Sequence, residues 1–211
     1  MELRYIKADL RAHSEGDKKS LRGVAIRYNA RSAAYIAPRV RERIAPGAFG
    51  RSIRNASSSS LDIRMLYEHK DENLLGRTSA GTLRLEDTAD ALCFACDLPN
   101  TSVANDLYEQ VRVGNIRGMS FGMIVDGDSF DFENDEDENG NALEDRCHVR
   151  TVHSGQLLEI SSVSNPAYTS GQVTARNSFQ LVSPELRAAV LSIKTDSTAR
   201  AARRMNDLLL S

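Results

Sequence analysis

Apolar residues recur at every second position in one segment after another of this chain, and that period confines most of it to β-strands. Leu61, Ile63, Met65, Tyr67 and His69 fall on one face of an extended segment, with Asp62, Arg64 and Glu68 on the other. Leu83 and Leu85 alternate with Arg84 and Glu86. After an acidic turn, Leu92, Phe94, Cys96 and Leu98 alternate with Cys93, Ala95 and Asp97, so the two runs predict a hairpin. Residues 2 to 10 and 21 to 29 predict two further strands around a polar turn containing Gly16. Leu157 to Val163 predicts another, with Glu159, Ser161 and Val163 on one face and Leu158, Ile160 and Ser162 on the other.

The period changes after Pro99. Thr101 or Ser102 can cap a helix whose face is Val103, Leu107 and Val111, and Gly114 can end it. Pro46-Gly47-Ala48-Phe49 opens a short helix of about two turns. Asn55 to Ser60 reads as a serine-rich flexible loop. Residues 126 to 145 carry ten acidic side chains, too dense a charge for a packed core, and read as a mobile hairpin excursion. Ser183 caps a later helix, and Ala199 to Leu210 offers a second, amphipathic one. Six or seven strands with a helix interposed, and no regular β-α alternation, predict an α+β protein: a mainly antiparallel β-barrel or strongly curved sheet with surrounding helices.

At 211 residues the chain can build one sizeable core. The expected organisation is a domain over 1–176, with the acidic insertion at 126–145, and a helical tail over 177–211. A net charge of −2 argues against nucleic-acid binding through a basic face. The basic clusters at Arg39 to Arg43 and Arg200 to Arg204 read as solvated faces. The amino terminus is charged throughout, and no run approaches the ~18 apolar residues of a membrane span. Three cysteines suit a reducing cytosol rather than a disulfide framework. Met65, Met119 and Met123 read as core filling.

Among the chemical residues, Ser120 stands out: a hydroxyl inside the apolar run Gly118-Met119-Ser120-Phe121-Gly122-Met123, with glycine two places away on each side. A serine hydroxyl is a weak nucleophile. It needs a neutral imidazole to take its proton, and that imidazole needs an acceptor fixing its tautomer. His69 and Glu159, each on another strand-like run, fill those roles. Gly118 and Gly122 remove side chains beside the hydroxyl and let a substrate backbone approach. Cys93 and Cys96 with Cys147-His148 invite a zinc reading, but residues three apart in a strand face opposite sides. Asp135-x-Asp137-x-Asn139-Gly140 begins like a calcium loop, yet its twelfth position is Arg146, which repels the ion. No metal or other cofactor is expected.

The ordered set Tyr28-Asn29, Glu42-Arg43-Ile44-Ala45-Pro46-Gly47-Ala48-Phe49, Leu66-Tyr67-Glu68-His69, Leu75-Gly76-Arg77-Thr78, Gly81-Thr82-Leu83, Leu98-Pro99-Asn100-Thr101, Gly118-Met119-Ser120-Phe121-Gly122 and Glu159 through Tyr168 resembles the tailed-phage prohead serine proteases. That family matures capsids and is distantly similar in fold to the herpesvirus assemblins. The match covers roughly residues 20 to 176. The resemblance implies His69 as general base, Ser120 as nucleophile and Glu159 as the orienting acid. Assemblin-like enzymes place a second histidine there, which makes His148 and His153 the alternatives. Backbone N–H groups would stabilise the oxyanion, placed in a loop at Ser161 to Asn165; Gly118, Gly122, Ser162 and Val163 are the candidates for contact with substrate or oxyanion. The implied activity is an endopeptidase that cuts scaffold, capsid protein and itself inside a procapsid assembling in the host cytoplasm. A homodimer paired through the 103–111 helix belongs to the same expectation, as does a tail that binds scaffold or capsid protein. The competing reading is an inactive assembly factor of the same fold that binds capsid protein. A third is a calcium-binding structural domain.

Overall fold

The computed structural model describes residues 1–7, 10–16, 18–32, 34–56, 61–137 and 140–164. The tail over 177–211 and its helices lie outside these, as do Asn165 and most of the serine loop at 57–60. The strands are β1 (Glu2–Lys7), β2 (Leu10–Glu15), β3 (Lys18–Arg27), β4 (Val40–Ile44), β5 (Arg64–Tyr67), β6 (Lys70–Arg77), β7 (Leu83–Asp87), β8 (Ala91–Asp97), β9 (Gly118–Glu136) and β10 (Ala142–Val163). Helix α1 (Gly50–Asn55) precedes β5, and α2 (Ser102–Arg112) precedes β9.

One sheet has the order β1-β9-β10-β5-β6, with β4 also paired to β10, and a second has the order β2-β3-β8-β7. The class is α+β, mostly strand with few helices. Neither sheet closes into the barrel expected from the sequence, because closure requires the end strands to pair with each other. Here β1 and β6 remain the two ends of one sheet, and β2 and β7 those of the other. Pairing is mostly antiparallel, but β10 and β5 run parallel, with Glu159 opposite Arg64 and Ser161 opposite Leu66.

The chain divides into two compact units. The first comprises Met1–Ala30, Ile44–Asp128 and residues 152–164, and its interior is apolar: Leu21, Ile26, Phe49, Met65, Leu92, Phe94, Met119, Phe121 and Ile160 are all buried. The β7–β8 hairpin forms as its alternation predicts, with Phe94 and Cys96 buried and Asp97 exposed. Thr101 caps α2 by accepting a hydrogen bond from the Ala104 N–H. Leu107, Tyr108 and Val111 of that helix pack into this core. The proline-led helix starts later than expected: Pro46 to Phe49 form turns, and α1 starts only at Gly50. Ser52 of α1 accepts from the Leu157 N–H at 3.1 Å, which ties the helix to β10.

The described part of the second unit, Arg31–Arg43 and Ser129–Thr151, has an interior of another kind. Val40 with Ile36, Ala37 and Phe130 is its apolar cluster, whereas Glu42, Asp135, Arg150 and Thr151 are also buried. The acidic stretch is the outer part of β9 and the start of β10, and its charges meet arginines. Arg41 Nε lies 2.5 Å from Asp135, Arg43 lies 2.9 Å from Glu133, and Arg31 also bonds Glu133. Arg41 and Arg43 were expected on a solvated face. Asp135, which would have led a calcium loop, instead accepts from Arg41, Tyr35 and the Glu136 N–H.

Burial pushes the Asp135 carboxyl up, but the bonds from Tyr35, Arg41 and Glu136, and the charge of Arg41, outweigh burial and hold it at about 2. Its unfolded value is ~3.9, so the linked stability of about 2 kcal/mol is present above pH ~4 and is lost as the pH falls toward 2. Urea melts between pH 5 and 2 should show that loss in wild type, and a flatter profile in Asp135→Asn. Arg150 and Glu42 form a second buried pair at 3.2 Å. Glu42→Ala removes one member of this buried pair and should lower the unfolding free energy in the same melts, by at most roughly 3–5 kcal/mol.

Candidate active site

Strands β5 and β6 are joined by two residues only, Glu68 and His69, with Tyr67 opposite Lys70. Both linking residues have positive φ, 55° and 58°. A two-residue hairpin with that signature is the tight turn normally made by Asn-Gly or Gly-Gly. His69 thus sits in a turn and not at the end of an apolar strand face, because the alternation read from Leu61 stops at Tyr67. A left-handed backbone at two residues with Cβ atoms costs on the order of 1 kcal/mol each or more. Contacts to β10 offset that cost. The Glu68 N–H donates to the Ser162 carbonyl at 3.0 Å, and the Ser164 N–H donates to Glu68 Oε1 at 2.7 Å.

The hairpin so clipped places His69 Nδ1 2.6 Å from Glu159 Oε1. Glu159 is 1% exposed. A carboxylate only accepts hydrogen bonds, so Nδ1 carries the proton of this contact, and the other ring nitrogen, Nε2, is itself buried. Ser161, two residues along β10, donates its hydroxyl to Glu159 Oε2 at 2.8 Å.

Ser120 is fully buried in β9, opposite Tyr5 of β1, and its hydroxyl donates to the Arg4 carbonyl at 2.8 Å. Its place relative to the His69–Glu159 pair follows from Gly122. A Cβ there would lie 2.9 Å from Glu159 Cγ and 3.0 Å from Oε1, so the glycine backbone packs directly on the carboxylate. Residues two apart in a strand share a face, which sets Ser120 on the face of the sheet that carries Glu159.

The remaining candidates take different positions. Gly118 begins β9 opposite Lys7. Ser161 to Val163 belong to β10 and not to a loop, and Ser162 stands opposite Tyr67. The Ser162 hydroxyl lies 3.8 Å from the Met119 sulfur, on the other face from Ser120. Val163 is buried. His153 is exposed, and the His148 ring stacks at 5.0 Å on Phe132. All three cysteines are free, and among the described residues no cluster of three or more His, Cys, Asp or Glu could hold a metal. Among these residues no helix is long and apolar enough to cross a membrane. Reading the sequence misses Glu68, Ser161 and the Arg4 carbonyl. The available signal was a second hydroxyl two places after Glu159, on the same strand face.

Gly122→Ala tests the packing around the carboxylate. The φ of Gly122 is not positive, so the backbone accepts alanine, but the new methyl displaces Glu159 from His69. A misplacement of this size should lower kcat/KM about 10²-fold while leaving the fold intact by circular dichroism.

No curated protein sequence matches the chain. Among solved structures it is similar to the bacteriophage T4 capsid assembly protease, gp21, with 8% sequence identity, 77% of this chain and 98% of that chain covered, and a TM-score of 0.41. The caudovirus prohead serine protease family matches residues 6–184, most of the chain, and this protein therefore belongs to that family of serine proteases.

Proposed function

We propose that Ser120, His69 and Glu159 form a Ser-His-Glu relay with which this enzyme cleaves the protein components of an assembling phage prohead. The observation that carries the reading is the 2.6 Å contact between His69 Nδ1 and Glu159 Oε1, made on the same sheet face as Ser120. Glu159 holds the ring in the tautomer that leaves Nε2 basic. The Ser120 hydroxyl turns from the Arg4 carbonyl toward Nε2 and gives up its proton as Oγ attacks the scissile carbonyl. The imidazolium then protonates the leaving amine, the C–N bond breaks, and an acyl-enzyme remains on Ser120. Water, deprotonated by the same nitrogen, attacks the ester and releases the acid.

The substrates we assign are scaffold, the amino-terminal segment of the capsid protein and the enzyme's own chain. Confinement inside the shell in the host cytoplasm supplies the high local concentration. The protease domain is taken as 1–176 and the tail as 177–211. Gly118, Gly122, Ser162 and Val163 remain the proposed neighbours of substrate or oxyanion, Gly122 through its backbone only. A homodimer built on α2 would use the polar side of that helix, because Leu107, Tyr108 and Val111 are buried within the chain.

Ser120→Ala removes the chemistry and, with it, one hydrogen bond worth about 1 kcal/mol to the fold. The variant should melt close to wild type and lose cleavage of co-assembled capsid and scaffold proteins by about 10⁴-fold or more, scored by gel. A fluorophosphonate probe should label wild type at Ser120. Normal processing by the alanine variant would overturn the relay, and absence of labelling in every assembled state would favour a binding role.

A further inference from the structure

We infer that Ser161 is a positioning residue for the reaction, its hydroxyl fixing the Glu159 carboxylate in the orientation that presents Oε1 to His69. The inference rests on the Ser120-His69-Glu159 reading and adds a member that acts through Glu159 alone. Position 161 lies in a stretch of β10 that is buried from Glu159 through Val163, beside the parallel strand β5. Such strands favour Val and Ile, and a hydroxyl in this setting is a liability unless it is bonded. Its bond goes to Glu159 Oε2 at 2.8 Å, while Oε1 takes His69 Nδ1 at 2.6 Å.

Each carboxylate oxygen therefore has its own donor. The terminal torsion of a glutamate is broad and nearly two-fold, so a carboxylate held at one oxygen can still rotate. Held at both it cannot. Gly122 packs against Cγ and Oε1 and leaves no room for the side chain to withdraw toward β9. The spacing makes the clamp a product of backbone geometry, because residues 159 and 161 share a strand face and the hydroxyl reaches its partner without any loop. The carboxylate only accepts, so Ser161 donates throughout the cycle and passes no proton to His69.

The test measures the rate of Ser120 phosphonylation by a fluorophosphonate probe and the downfield Nδ1–H proton resonance of His69, in the full chain. Ser161→Ala and Ser161→Cys should each slow labelling about 10- to 100-fold, the value of a hydrogen bond to a charged group, and move or erase the resonance. A thiol fills the space of the hydroxyl but donates weakly, so equal defects assign the effect to the bond rather than to packing. Ser161→Thr, which restores the hydroxyl on a β-branched residue suited to a strand, should recover both signals. Wild-type labelling in Ser161→Ala, or full recovery in Ser161→Cys, would overturn the inference, as would failure of both variants to fold. Ser120→Ala in parallel separates the two levels: if it still labels, the relay itself is wrong, whereas a dead Ser120→Ala beside an unimpaired Ser161→Ala removes only the clamp.

Discussion

The contact between His69 and Glu159 depends on one parallel strand pair. Strand β5 runs alongside β10 in a register that ends with Tyr67 opposite Ser162, so the two-residue turn that follows emerges level with the end of β10. An imidazole on a long loop would lose ordering entropy each time it met a carboxylate. Here the ring is carried on the tightest hairpin available, and the strain of two left-handed residues is absorbed by bonds from Glu68 to the backbone of residues 162 and 164. Those bonds and the histidine–carboxylate bond cooperate, since each restricts the same turn.

The two units solve the burial problem by different physics. The first removes aliphatic and aromatic side chains from water, and its energetics follow apolar area. The described part of the second has few apolar residues to bury and is organised by ion pairs among Arg31, Arg41, Arg43, Glu133 and Asp135. Buried charges add little net stability over a packed apolar core, because desolvation consumes most of the attraction, but any one of them left without its partner is costly. A unit built this way tolerates a very acidic sequence and is sensitive to acid.

Much of this was legible in the sequence wherever a residue's own chemistry decided the outcome. The β7–β8 hairpin follows from alternation, and α2 follows from a capping threonine and a four-residue apolar spacing. The pairing of His69 with Glu159 was anticipated from roles, but the reason His69 can reach was not. Glu-His carries none of the usual turn chemistry, so a period-two reading ran straight through it. The strand expected over 2–10 ends at Lys7, and β3 begins at Lys18 rather than 21, because charged edge residues carry no periodic signal. The ion pairs of the acidic stretch were not legible because its countercharges come from Arg31 to Arg43, about a hundred positions earlier, and single-sequence charge density cannot see a partner so distant. Closure into a barrel was likewise beyond local pattern, since it depends on which strands end a sheet.

Ser120 differs from His69 and Glu159, its partners in the proposed relay, in that its hydroxyl bonds to main chain. Its hydroxyl is spent on the Arg4 carbonyl of the end strand β1, an acceptor that fixes the rotamer without raising nucleophilicity, because a carbonyl does not take the proton. A neutral bond of this kind is worth about 1 kcal/mol net, well below the gain from an imidazole that removes the proton in the transition state. Giving it up therefore costs little against the chemistry that follows. For the proposed relay the larger requirement is access, since the Ser120 side chain is fully buried and the Met1 sulfur lies against neighbouring Gly122. In the proposed relay the rigid part is therefore the His69–Glu159 pair, and the part that would have to yield before reaction is the surroundings of Ser120 at the β1 edge.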